Sequence, residues 1–236
     1  DGERRNYRSV PAVFNRSITR NEFDRVLGVL GTGKAPGLDG MTNDEILQGG
    51  PILHDLLFEF MKLYWAAEMV PDKLQELVLT PLVKDLEGDV HDPSNYRPIA
   101  LLNGMFKLFE AILQHRICNF LENKKLLADE QHGFRAKRGT NDPLFVVREV
   151  IEEYRLAFSE KRRPLYVCFL DIKKAFDRVS RPWVWHKMHK MGLRGKIWRT
   201  IINMFSNIRG KVKVDNLFSQ MFRIETGVVQ GSRLGP

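Results

Sequence analysis

Apolar residues recur at helical spacing in most parts of the chain. The clearest helix start is the capping box Thr19-x-x-Glu22, which leads into an apolar face that continues toward Gly31. A second capping box joins Thr42 to Glu45. Further helices are predicted over residues 52–67, 104–122 with Asn103 as the cap, 141–159, 181–192 and 195–207. In the helix over 52–67, the residues expected to face a core are Ile52, Leu56, Leu57, Phe60, Met61 and Tyr64.

Extended, strand-like runs lie between these helices. Leu77–Lys84 and Tyr96–Leu102 flank a polar segment, which predicts either a β-hairpin or two runs joined by a long loop. Pro81 cannot donate a ladder hydrogen bond, so its strand is expected to be an edge strand or to carry a bulge there. Residues Lys211–Val214 and Phe218–Ile224 predict a second hairpin.

The run Leu165–Leu170 contains no polar residue and is followed directly by Asp171. Such a run is typical of a strand buried on both faces, so we expect Cys168 in a core and Asp171 where the strand reaches the surface. A carboxylate held at a strand end beside cationic residues suits a Mg²⁺ site. The residues alone leave open the alternative that Asp171 caps a helix.

Charge and cysteine content narrow the classes of partner. The chain has 236 residues and a formal net charge of +8. This balance favours nucleic acid as a partner first and an anionic membrane second, although a basic protein with neither partner has the same composition. No apolar run approaches the length of a membrane span, so no membrane-spanning segment is expected. A membrane is not among the partners that we expect. The two cysteines do not suggest a disulfide framework, which fits a reducing intracellular compartment.

Two loops have compositions that suit contact with phosphates or bases. Residues 31–40 are rich in glycine, which lets a backbone approach a phosphate closely, but the same composition describes a plain turn. This loop is not a P-loop, because no Gly-Lys-Ser/Thr opens a helix at the required spacing. Residues 131–140 combine Phe134 with several cations, so they predict either a nucleic-acid contact or a solvated turn.

Four short motifs then occur in a fixed order. They are Arg97 within Asn-Tyr-Arg-Pro-Ile, Gly133-Phe134-Arg135, Asp171 within Phe-Leu-Asp-Ile-Lys-Lys-Ala-Phe-Asp, and Gln230-Gly231-Ser232. In this order the chain resembles the reverse transcriptases of non-LTR (LINE-type) retrotransposons, with those of group II introns as more distant relatives. The loop at 33–40 also resembles the segment that precedes the fingers in the non-LTR group.

The resemblance covers residues 20–236 and implies a fold. This is the α+β fold of a right-hand polymerase, here as fingers at about 20–164 and a partial palm at about 165–236. An N-terminal arm of residues 1–19 would precede them.

The resemblance also implies roles for single residues. Asp171 would be the catalytic, metal-binding aspartate, and the backbone carbonyl of Ile172 would help to hold the second of two Mg²⁺ ions. Phe176 would lie under the sugar of the incoming nucleotide and exclude a 2′-hydroxyl. Apart from the resemblance, Asp177 is expected to be structural, paired with a cation or a backbone amide. The residues implied to bind the nucleotide are Lys84, Arg97, Phe176, Gln230 and Gly231, and those implied to contact the template are Gly133, Phe134, Arg135, Lys137 and Arg138.

The implied activity is RNA-directed DNA synthesis. Deoxynucleoside triphosphates would be joined to the 3′-hydroxyl of a DNA primer on an RNA template, in the nucleus, with Mg²⁺ clamping the attacking and leaving oxygens. In the resembled family further carboxylates come from a Tyr-x-Asp-Asp hairpin, but no Asp-Asp pair occurs in this chain. Gly235 also stands where the family more often has Ser. We therefore expect residues 1–236 to be a fragment with little or no polymerase activity alone.

Two other functions fit the same motifs. A non-catalytic remnant of a retroelement would bind RNA through its basic loops, with strong salt dependence and no polymerase activity. A group II intron maturase would act in an intron-splicing context, which the sequence does not show.

Overall fold

A computed structural model describes residues 10–157 and 164–236, which form two compact units. The first unit comprises the described residues up to Asn119 together with Ala175–Gly235, and the second comprises those of Phe120–Lys174 with Pro236. Residues 1–9 of the predicted N-terminal arm and residues 158–159 of the predicted fifth helix lie outside the described residues. The predicted boundary between fingers and palm stays a prediction.

Eight α-helices form within the described residues. They are α1 Arg20–Gly28, α2 Asn43–Gln48, α3 Gly50–Ala67, α4 Gly104–Asn123, α5 Asn141–Ala157, α6 Ala175–Arg178, α7 Arg181–Lys190 and α8 Lys196–Ser206. Both predicted capping boxes are present, with the hydroxyls of Thr19 and Thr42 accepting hydrogen bonds from backbone N–H groups at 3.3 and 3.1 Å. None of the helices described combines the length and the apolarity needed to span a bilayer.

The first unit contains a five-stranded sheet. Its strands are β1 Glu76–Val83, β2 Tyr96–Leu101, β3 Arg209–Val214, β4 Leu217–Phe218 and β5 Phe222–Arg223. Strand β1 pairs antiparallel with β2 and parallel with β3, and β3 pairs antiparallel with β4 and β5. The two predicted hairpins are therefore confirmed, and the mixture of helices and sheet confirms the α+β class.

Pro81 lies in β1 directly opposite Pro98 of β2. Strand β3 pairs only with Glu76–Leu79 of β1, so β1 has a free edge by the time it reaches Pro81. A missing N–H group costs no ladder bond at such an edge. The sheet order places β1 between β2 and β3, so the edge-strand prediction holds only for the end of β1 that carries Pro81.

Helix α3 buries a narrower face than its apolar content predicts. Its buried residues are Leu57, Met61, Tyr64 and Trp65. Ile52 and Leu56, expected in the core, are 86% and 52% exposed, so that prediction is wrong for both. The reason is geometric: at 3.6 residues per turn, both positions lie on the side of the helix opposite the buried set.

A buried ion pair joins α1 to α4 in the first unit. Arg116 is 1% exposed and donates from Nε and Nη2 to the two carboxylate oxygens of Glu22, at 2.8 and 2.9 Å. Its remaining donors bond to the backbone carbonyls of Arg16 and Ser17, and its guanidinium lies 4.7 Å from the ring centroid of Trp65. Burial opposes ionisation of Glu22, but hydrogen bonds from Arg116 and the Thr19 backbone outweigh it and lower the pKa to about 2.

The predicted strand at Leu165–Leu170 does not form. This stretch of the second unit has no regular structure, and Tyr166, Phe169 and Leu170 are 87%, 82% and 93% exposed. Cys168, expected in a core, is exposed as well. A strand needs a neighbour for its backbone hydrogen bonds, and no described strand lies in this unit to supply one. The segment is apolar, as its sequence shows, but the predictions that it forms a strand and is buried are wrong.

Candidate functional site

Two of the predicted cations lie on the β1–β2 hairpin. The backbone N–H of Lys84 donates to the Asn95 carbonyl at 2.8 Å, and Leu82 lies opposite Arg97 in the strand register. Lys84 and Arg97 are therefore diagonal neighbours on one face of the hairpin, roughly 7 Å apart. The Lys84 ammonium donates to the Ser94 carbonyl at 2.6 Å, whereas the side chain of Arg97 is exposed and makes no hydrogen bond or ion pair with a described residue.

The segment with Gln230 and Gly231 lies along the outer edge of β2. The backbone N–H of Ala100 donates to the Gln230 carbonyl at 2.9 Å. Gly231 has φ +117°, and a Cβ there would lie 2.7 Å from the Ala100 carbonyl oxygen. Only glycine allows this approach, so the Gln-Gly pair is held three residues along the strand from Arg97.

Gln230 and Gly231 belong to a loop formed by residues 227–235, here called the 227–235 loop. Phe176 contacts this loop near both of its ends. Its backbone carbonyl accepts a hydrogen bond from Val228 N–H at 2.9 Å. Gly227 has φ +76°, and a Cβ there would lie 2.7 Å from the carbonyl oxygens of both Phe176 and Asp177. A Cβ on Gly235 would meet the half-buried Phe176 ring at 3.7 Å, an ordinary contact distance. The loop thus links Phe176 to strand β2.

The Asp177 carboxylate does not have the predicted structural partner. It is exposed, and among the described residues no cation or backbone amide pairs with it. The prediction of a pairing role is therefore wrong. The tight backbone contacts of this turn come from the carbonyls of Phe176 and Asp177, and these position the 227–235 loop without help from the carboxylate.

A buried carboxyl group on helix α4 holds the 227–235 loop in place. Glu110 of α4 is fully buried, accepts a hydrogen bond from the Ser232 hydroxyl, and accepts another from Arg233 N–H at 3.1 Å. Burial raises the pKa of Glu110 to about 7, against the lowering effect of these hydrogen bonds. We did not predict this residue from the sequence. The signal for it was a single acidic residue within the apolar face of the helix over 104–122.

We expect the stability of the chain to depend on the protonation of Glu110. Its pKa is raised on folding, so its contribution is fully present below about pH 4.5 and is lost as pH rises through 7. Glu110→Gln, a neutral isostere, should remove this loss and gain roughly 2–3 kcal/mol over the natural chain at pH 8, with little difference at pH 4.5. Urea unfolding of both chains at the two pH values measures the effect. Equal stabilities at pH 8 would contradict it.

The glycine-rich loop at 31–40 closes onto the start of α4. The Asp39 carboxylate accepts hydrogen bonds from Gly104 N–H at 3.0 Å and Met41 N–H at 3.2 Å. The side chain of Asn103 instead accepts from Asp39 N–H and donates to the carbonyl of Lys73, at 3.1 and 2.9 Å. Asn103 holds the cap position as predicted, since its carbonyl accepts a hydrogen bond from Lys107 N–H at 3.0 Å, but the side chain that caps α4 is that of Asp39. These internal bonds favour the structural-turn interpretation of the loop.

Asp171 and Ile172 belong to the second unit, where both are exposed in an irregular segment. Within residues 10–157 and 164–236 there is no group of three or more His, Cys, Asp or Glu side chains that could hold a metal ion. The donors described here therefore do not complete a two-ion site. The metal roles of Asp171 and Ile172 stay predictions.

The arginines of the basic loop at 131–140 pair with acidic residues just before the loop. Arg135 is 9% exposed and donates to both carboxylate oxygens of Glu122, at 2.9 and 2.8 Å. Arg138 pairs with Asp129 at 3.2 Å. Phe134, with φ +59°, remains 76% exposed, and Gly133 and Lys137 are exposed beside it. The template roles of these residues stay predictions, with Phe134 and Lys137 the most accessible groups.

Comparisons with known proteins agree on one family. The sequence model of "Reverse transcriptase (RNA-dependent DNA polymerase)" matches residues 85–236. The chain is 30% identical over 93% of its length to an RNA-directed DNA polymerase from mobile element jockey of Drosophila funebris. It is 34% identical over 61% of its length to a probable RNA-directed DNA polymerase from transposon X-element of Drosophila melanogaster. It is also 29% identical over 86% of its length to a Pol polyprotein from the type-1 element R2 of Popillia japonica. The chain spans 23%, 15% and 26% of these three relatives.

Proposed function

Since the chain belongs to the reverse transcriptase (RNA-dependent DNA polymerase) family, we propose that it forms the nucleotide-binding part of an enzyme that copies the RNA of a non-LTR retrotransposon into DNA. The observation that carries the proposal is the arrangement in the first unit. The 227–235 loop links Phe176 to strand β2, and β2 carries Arg97 on the hairpin that also holds Lys84. The resemblance implies a nucleotide-binding role for each of these residues.

In this proposal, different residues contact the triphosphate, the sugar and the base of an incoming deoxynucleoside triphosphate. Arg97 and Lys84 place two cations on one hairpin face for the triphosphate, and the exposed Arg97 guanidinium is suited to bidentate contact with phosphate oxygens. Phe176 would lie under the sugar, and Gln230 with Gly231 would lie against the base. Glu110 would act as a positioning residue, because it fixes the loop that carries Gln230.

The proposed cofactor is Mg²⁺. Asp171 and the carbonyl of Ile172 would contribute ligands, and the bound ions would neutralise charge on the transferred phosphoryl group. A single carboxylate does not hold two such ions, so further acidic ligands are required beyond those described. The proposed nucleic-acid partners are an RNA template, contacted by the exposed part of the basic loop at Phe134 and Lys137, and a DNA primer. We place the reaction in the nucleus as part of the same proposal.

One observation favours a second candidate function. The exposed Phe134 and Lys137 of the basic loop at 131–140 suit RNA binding by a protein without polymerase activity. Primer extension on an RNA template with dNTPs and Mg²⁺ separates the two. The assay is run with the 236-residue chain and with any longer product that its gene encodes. Synthesis by the longer product supports the enzyme, and its absence together with RNA binding by both supports the second candidate.

We expect Phe176 to control the choice of sugar. Phe176→Val removes the ring that would exclude a 2′-hydroxyl, so discrimination between dNTPs and rNTPs should fall by roughly 10- to 100-fold. The measurement is the ratio of kcat/KM for dCTP and rCTP in the longer, active product.

Tyr166→Val is the matched control for this change, since it removes an exposed aromatic ring from an irregular segment. It should leave the sugar ratio unchanged. An unaltered ratio for Phe176→Val would refute the assigned role.

A further inference from the structure

One face of strand β3 carries a row of cations. Arg209, Lys211 and Lys213 occupy alternate positions, so their side chains lie on the same face of the sheet. In the strand register, Arg223 of β5 lies opposite Arg209, and Phe218 of β4 lies opposite Lys213. These five residues, here called the basic β3 face, have no role in the site described above.

The charges of the basic β3 face are not neutralised within the described residues. The guanidinium groups of Arg209 and Arg223 donate only to neutral oxygens, at 3.3 and 2.8 Å. Glu76 lies beside Arg209 in the register, but its carboxylate contacts Lys73 at 3.5 Å, and Asp215 lies in the turn beyond the strand. Like charges directly opposite each other destabilise a sheet, so the pair of arginines is unfavourable until an anion lies over it.

An exposed aromatic ring lies within this cationic surface. Phe218 is 49% exposed, and the ammonium groups of Lys211 and Lys213 lie 4.3 and 5.7 Å from its ring centroid. Proteins that bind single strands combine a positively charged track for the backbone with aromatic rings on which bases stack. Successive cations on one face of a strand are about 6.7 Å apart, a spacing comparable to that of phosphates in an extended strand.

We infer that the basic β3 face binds single-stranded RNA. Arg209, Lys211 and Lys213 contact successive phosphates, and Arg223 adds a second cation beside Arg209. A base stacks on Phe218 after the lysine ammonium groups move from the ring to the phosphates. The inference rests on the proposed function in one respect, because a reverse transcriptase must hold an RNA strand. It adds a binding surface in the first unit that is separate from the nucleotide site and from the loop at 131–140.

Binding of a fluorescent, unstructured RNA to the 236-residue chain, measured by anisotropy over a range of salt concentrations, tests the surface. Lys211→Gln/Lys213→Gln removes two phosphate contacts, so the slope of log K against log salt should become shallower by about 1.4. Affinity at about 0.1 M salt should fall by roughly 10- to 30-fold. Phe218→Ala should weaken binding by roughly 5- to 100-fold with no change in slope.

A double variant on helix α7 provides the matched control. Lys187 and Lys190 are exposed lysines in the same unit, so Lys187→Gln/Lys190→Gln makes the same change in net charge. It should leave both slope and affinity close to those of the natural chain. Thermal unfolding followed by circular dichroism verifies that all variants keep their fold.

The outcomes separate this inference from the proposed function. Equal losses in the β3 and α7 variants would show a general charge effect and overturn the inference. Unchanged RNA binding in the β3 variants would overturn it while leaving the proposed function intact, whereas failure of the natural chain to bind RNA would count against both. Loss of binding to anionic lipid vesicles in the β3 variants, with RNA binding retained, would assign the surface to membranes instead.

Discussion

Replacing Asp171 by Asn in any form of the protein that shows polymerase activity is expected to lower the rate of DNA synthesis by on the order of 10³-fold or more. The amide keeps the size of the side chain but removes the negative charge that Mg²⁺ requires of a ligand. Stabilisation of charge at the transferred phosphoryl group is the main contribution of such a site, so the loss should appear in kcat rather than in KM for the nucleotide. Single-turnover incorporation of one dNTP on an RNA template measures it.

Asp177→Asn provides a close control for this experiment. Asp177 is also exposed and also follows the apolar run, but no described group pairs with its carboxylate. Its replacement should change the rate by less than about 3-fold, as expected for a surface carboxylate outside the chemistry. The predicted metal role of Asp171 is wrong if the two variants retain similar rates. RNA binding by both should match that of the parent, which shows that neither change acts by unfolding the protein.

Removal of Arg116 is expected to have the largest effect on stability. Arg116→Met leaves the Glu22 carboxylate buried without its main partner, and breaking a buried pair in this way typically costs about 3–5 kcal/mol. The pH dependence should change as well. The pKa of Glu22 is lowered to about 2 on folding, so its contribution is present above about pH 4.5 and is lost as pH falls toward 2. Denaturant unfolding at pH 7 and pH 3 measures both effects.

Two further variants make this prediction specific. Glu22→Leu/Arg116→Met removes both charges, so it should be closer in stability to the natural chain than Arg116→Met is. Glu59→Gln breaks an exposed pair with Lys62 and should leave the unfolding midpoint almost unchanged. A loss below about 1 kcal/mol for Arg116→Met would mean that the pair is solvated rather than buried.

The features predicted correctly from the sequence depend on residues close together in the chain. The capping boxes at Thr19 and Thr42 are four-residue patterns, and the β1–β2 hairpin joins neighbouring runs. Both are decided by local hydrogen bonding, which short motifs record directly. The positions of Gln230 and Phe176 in the chain were recognised from motifs. Their connection through the 227–235 loop emerged only from the fold.

The predictions that were wrong concern features that depend on groups distant in sequence. Leu165–Leu170 has the composition of a buried strand, but composition does not supply a neighbouring strand or a covering layer. The anchoring role of Glu110 is visible only once the fold places Ser232 beside it. The side chain of Asp39, rather than that of Asn103, caps α4 because a loop distant in sequence packs there. Tertiary contacts therefore decided each correction.

The parallel pairing of β1 with β3 has a consequence for synthesis of the protein in the cell. Glu76 pairs with Arg209, so the hairpin of β1 and β2 leaves the ribosome long before its third strand exists. At about 5–20 residues per second, one edge of β1 would wait on the order of ten seconds for its partner. An unpaired strand edge is a template for association with other chains during that interval. The yield of soluble chain should therefore rise with slower initiation of translation, with lower temperature or with chaperones that cover the nascent hairpin.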